Sequence, residues 1–167
     1  MRNILETIHI FLGLNAIGAG ISVCVRMVAG RPFEKWVAHF LKLSVAAAAV
    51  GLILSIDHIS LTQWLTAFGV YMSAFAILAW RKYNLFESWG PALVLSTMCV
   101  FCLDTVIAGA HVLKFMETCN LLSPSWPSGS FAVFMVAVVL LFAVLSTFAV
   151  KRLHPVPSEQ MMNRMVR

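Results

Sequence analysis

Two histidines and one aspartate are the residues of this chain whose placement could do chemistry. His9 lies near the start of the first long apolar run, His111 lies near the end of the fourth, and Asp104 precedes His111 by two helical turns, roughly 10 Å along one helix. Two neutral imidazoles on different helices at equal depth can ligate a haem iron from both faces. They can equally hold another metal, with Asp104 as an orienting group behind them. His58, in the turn between the second and third runs, comes to the same end of the chain's path and is a candidate lid residue. The plainer use of the same histidines is to cap helix ends and meet lipid headgroups.

The elements that must position these residues follow from composition. Of 167 residues, 60% are hydrophobic and 11% charged, against about 25% charged in an ordinary soluble domain. Too little charge remains to cover a water-facing surface, so lipid is the expected solvent. A membrane-spanning helix takes about 20 mainly apolar residues. Five runs qualify: Ile4 to Val28, Trp36 to Ile56, Leu61 to Trp80, Trp89 to Leu113 and Ser130 to Val150. Helices are expected because open strands leave backbone groups unpaired in lipid. The expected fold is therefore a single all-α domain over residues 1–167, a bundle of five transmembrane helices. Arg2 ahead of an apolar run looks superficially like a secretion signal. Glu6, His9 and Asn15 interrupt that run, so the first helix is expected to be retained.

Charge placement orients the bundle. The net charge of +5 arises in short gaps between apolar runs and not on one basic face, which argues against nucleic acid as a partner. Arg26, Arg31, Lys35, Arg81, Lys82, Lys151, Arg152, Arg164 and Arg167 fall on the side opposite the N-terminus; Arg2 and Lys114 fall on the N-terminal side. Lys42 lies just inside the second run and can snorkel back to the basic side. Basic residues mark the cytoplasmic side, so the N-terminus is expected outside and the C-terminus inside. Trp36, Trp64, Trp80 and Trp89 sit near span ends, as interfacial anchors do.

Helical periodicity assigns faces. His9, Gly13, Ala16, Gly20 and Cys24 form one stripe of the first helix, small enough to admit a neighbouring helix. Thr97, Asp104, Ala108 and His111 share a face of the fourth. Asp104 is the carboxylate near the centre of a span, where an ionised Asp costs at least about 2.5 kcal/mol. It must face the interior, with Asn15, Thr105 or a buried water as expected hydrogen-bonding partners. The alanine run Ala46 to Ala49 permits close packing of the second helix. His39, beside Lys42, Arg31 and Glu34, suits an anionic-lipid contact or a salt-bridged loop. With His39 alone in that leaflet, one haem is the most the histidines allow.

Cys99 and Cys102 form a C-x-x-C pattern, but in the middle of a helix and not at the N-terminus where a dipole favours thiolate. They read as small packing residues. Cys24 and Cys119 are too scattered to form a disulfide framework with them.

The run from His9 to Gly13, followed by Gly20, Gly30-Arg31 and His39, resembles small bacterial membrane proteins grouped as domain of unknown function 2306. In those proteins a first helix opens with His-x-x-x-Gly, a short basic loop follows, and the second helix begins with a histidine. The resemblance covers the first third of the chain. The family's loop is tighter, whereas Arg31 and His39 here stand eight positions apart. The resemblance implies a bundle fold and the bacterial inner (cytoplasmic) membrane, and it implies no reaction.

Three functions fit these residues. One is a non-catalytic accessory subunit, small sensor or assembly factor, working with the bilayer and with a membrane-protein partner or a second copy. Another is an electron-transfer protein holding one b-type haem between His9 and His111. The third is a proton-coupled carrier using Asp104.

Overall fold

A computed structural model describes residues 2–54, 61–83, 89–118 and 128–152. These residues form five helices: α1 (Arg2–Val28), α2 (Glu34–Leu54), α3 (Leu61–Tyr83), α4 (Gly90–Thr118) and α5 (Ser128–Lys151). All five are long and apolar enough to cross a membrane, and no strand occurs among the described residues. The apolar runs are thus helical throughout. Several helices continue beyond their apolar cores, most of all α4, because charge ends a membrane-compatible run without ending a helix.

The α1–α2 hairpin is set by its turn. Gly30 takes a left-handed φ of 65°, which glycine adopts without a Cβ penalty. Its N–H donates to Met27 and that of Arg31 donates to Arg26, capping the last carbonyls of α1 with paired backbone bonds. Arg26 donates to the Pro32 carbonyl oxygen at 3.2 Å and lies 5.0 Å from the Trp36 ring centroid, tying the turn to the first turn of α2. This fixes the register that brings the N-terminal part of α1 beside the C-terminal part of α2.

Around the bundle, α1 packs on α2, α2 on α3, α3 on α4, and α4 on α5, while α5 closes on α1. Helix α4 also reaches α1 and α2, so it touches every other helix. Its Phe101 ring meets Phe40 of α2 edge-on at 5.9 Å and Phe142 of α5 at 5.0 Å. Gly20 of α1 faces the same ring so closely that a Cβ there would collide with it.

The packing is uneven along the bundle axis. Val23, Met27, Val37, Phe40, Leu41, Leu93, Val94 and Met98 are buried toward the end where α1 finishes and α2 begins. At the other end no residue is buried in 4–15 of α1, 48–54 of α2, 63–68 of α3, 107–112 of α4 or 131–137 of α5. One half is a closed apolar core, and the other half is loosely packed.

Candidate functional site

The loosely packed half is where the two imidazoles meet. His9 and His111 have ring centroids 6.1 Å apart with planes inclined at 73°. Helix parity brings the start of α1 and the end of α4 together, and the small face of α1 turns His9 inward. That face is not uniform. Ala16, Gly20 and Cys24 are buried, whereas a Cβ at Gly13 would meet nothing within 4 Å. The space one turn from His9 is therefore open.

Helix α2 forms the wall behind His9. The Nδ1 of His9 lies 3.0 Å from the carbonyl oxygen of Ala47. A carbonyl only accepts, so Nδ1 carries the proton and Nε2 presents its lone pair. Gly51, one turn further, leaves room for the ring: a Cβ there would stand 2.9 Å from Cε1 of His9. Ala47 and Gly51 are thus site residues that periodicity alone did not identify. Their signal was the small-residue character of α2 around the alanine run, which announces close approach without naming the neighbour.

Asp104 points into the bundle, and its partner is Ser44 of α2, whose side chain hydrogen-bonds to the carboxyl. Among the described residues its buried Oδ2 has no hydrogen-bond partner, and neither has Oγ1 of Thr97 two turns away on the same face of α4. The expected partners lie elsewhere. Asn15 donates to the Phe11 carbonyl oxygen at 2.7 Å and Thr105 donates to that of Phe101 at 2.8 Å. Short polar side chains on helices commonly return to the carbonyl four residues back, and both do so here.

His58 lies outside the described residues, as do Cys119 and His154. His39 and Lys42 are exposed on α2 near its basic end, remote in sequence register from the imidazole pair. Cys24, Cys99 and Cys102 are free thiols, with Cys24 buried and the other two half-buried. Among the described residues no group of three or more His, Cys, Asp or Glu converges as a metal-ligand set.

The arrangement offers two imidazoles from different helices, edge to face, one of them oriented by a backbone carbonyl, in the loosely packed half of the bundle. A ligand that brings most of its own donors needs only such a pair. No known protein family, curated protein or solved structure matches the chain, so the chemistry of the site carries the functional argument.

Proposed function

We propose that this chain is a multi-pass membrane protein that binds one b-type haem between His9 and His111, and that it serves as a non-catalytic electron-transfer subunit. The observation that carries the proposal is the 6.1 Å separation of the two ring centroids across α1 and α4. Two imidazoles that would hold one iron through metal–nitrogen bonds near 2 Å have ring centroids roughly 6 Å apart.

The chain's own residues have defined parts in this reading. His9 and His111 would hold the haem iron through their imidazole nitrogens. The Ala47 carbonyl holds the His9 tautomer, as partners behind metal-bound histidines do. Gly51 keeps space around the His9 ring. Asp104 and Ser44 are a polar pair on the interior face below the imidazoles. When bound, the haem supplies a one-electron couple. A bare metal ion is less well served, since a third protein ligand is wanting among the described residues.

The distribution of Arg26, Arg31, Lys35, Arg81, Lys82, Lys151 and Arg152 supports a cytoplasmic C-terminus and an outer-leaflet haem. The test is the absorbance spectrum of detergent-purified protein. It is expected to show a Soret band that is lost in His9→Ala and in His111→Ala. Folded protein that stays colourless when produced with ample haem would overturn the reading.

A further inference from the structure

Helix α3 sits at the edge of the bundle, touching α2 and α4 but neither α1 nor α5. Its outward face repeats every seven residues. Trp64, Tyr71 and Leu78 form one exposed row, and Ala67 and Ala74 form an exposed row beside it. Large side chains and alanines recurring at heptad spacing form a seam along which two parallel helices can pair in a left-handed crossing, each layer built by the same residue of both.

Tyr71 makes this face unlike ordinary lipid-facing surface. It is 66% exposed and lies close to the middle of the Gln63–Lys82 span. The centre of a bilayer is on the order of 15 Å from either interface, further than a tyrosine reaches. Other polar residues on the outer surface satisfy themselves: Ser22 donates to Gly18 and Thr147 to Ala143, each on its own helix. A phenol stands too far from its backbone to do the same. Its ring stacks on Phe68 at the outer surface. The outward face of α5, by contrast, is lined by Val133, Val136, Leu140 and Val144, which acyl chains suit well.

We infer that α3 is the contact of a homodimer, in which two copies meet through Trp64, Ala67, Tyr71, Ala74 and Leu78 with the Tyr71 hydroxyls paired at its centre. A second copy is the fitting occupant for a geometric reason. Copies in one membrane share an orientation, so the two-fold axis runs along the membrane normal and each residue meets its own counterpart at the same depth. A hydroxyl is both donor and acceptor, so Tyr71 is complementary to itself. The row ends at Arg81 and Lys82, in the headgroup region, where salt screens like charges.

The test is oxidative cross-linking of single-cysteine variants of the full chain in lipid vesicles, with the wild type as control for the native thiols. Ala67→Cys, Tyr71→Cys and Ala74→Cys are expected to give a covalent dimer. Ser73→Cys and Ala76→Cys on the buried side of α3, and Val136→Cys and Leu140→Cys on α5, are expected to give several-fold less. Tyr71→Phe, which keeps the ring, is expected to lower the dimer fraction several-fold in a lipid-dilution series. Cross-linking on α3 no stronger than on α5 means that lipid covers the face and overturns the inference. So does a purified chain that stays monomeric while native membranes yield adducts with a different protein.

Discussion

The backbone of α2 orients the imidazole of α1: Nδ1 of His9 donates to the carbonyl oxygen of Ala47 at 3.0 Å, and the ring lies over Gly51. A carbonyl partner is insensitive to side-chain substitution, so the vulnerable part of this arrangement is the missing side chain beside it. Gly51→Ala places a Cβ within 2.9 Å of Cε1 and forces the ring to move. Disturbing the support of a metal-bound histidine typically costs 10–100-fold in affinity, and haem affinity is expected to fall within that range. Gly18→Ala, where a Cβ meets nothing within 4 Å, is expected to leave it unchanged. Haem titration of both variants checks the contrast.

Ser44 and Asp104 join α2 to α4 through a side-chain hydrogen bond in the bundle interior. Interhelical hydrogen bonds in membranes average about 0.6 kcal/mol and reach about 1.7 kcal/mol. A double-mutant cycle of Ser44→Ala and Asp104→Ala, read by unfolding in mixed micelles, is expected to give a coupling of that size. A coupling indistinguishable from zero would mean that the two groups do not interact.

The small face of α1 separates into a packed and an open part. Gly20→Val drives a side chain into Phe101, and overpacking of this kind costs about 1–3 kcal/mol. Phe101→Leu in the same chain is expected to recover part of the loss. Gly13→Ala projects into open space and is expected to alter stability by no more than about 0.5 kcal/mol. Thermal unfolding of the three variants distinguishes this from a face that is packed along its whole length.

Topology has its own readout. A reporter active only in the cytoplasm, fused after Arg152, is expected to be active, and one active only outside is expected to be silent. The reverse pattern would move the imidazole pair to the inner leaflet while leaving their pairing intact.

Much of this arrangement was legible from residue order. The five apolar runs marked the helices, and helix parity alone brought His9 and His111 to one end. The inward turn of His9 followed from Ala16, Gly20 and Cys24 on its stripe. What periodicity could not supply was pairing between helices. Ser44, Ala47 and Gly51 lie on α2 at spacings that share a face, but small residues announce proximity without saying what approaches. For Asp104, Asn15 and Thr105 were reasonable partners by depth. Both instead return to carbonyls of their own helices, a local competition that sequence position does not reveal. The unequal packing of the two halves was also hidden, because apolar composition is similar along each helix and burial depends on how the helices diverge.

Whether His9 and His111 together hold one haem is read from a stoichiometric haem titration of the chain in lipid nanodiscs, followed at the Soret band. Saturation is expected at one haem per chain, retained in His39→Ala and abolished in both His9→Ala and His111→Ala. Absence of saturable binding by the folded wild type, or equal binding by either of those two variants, would contradict it.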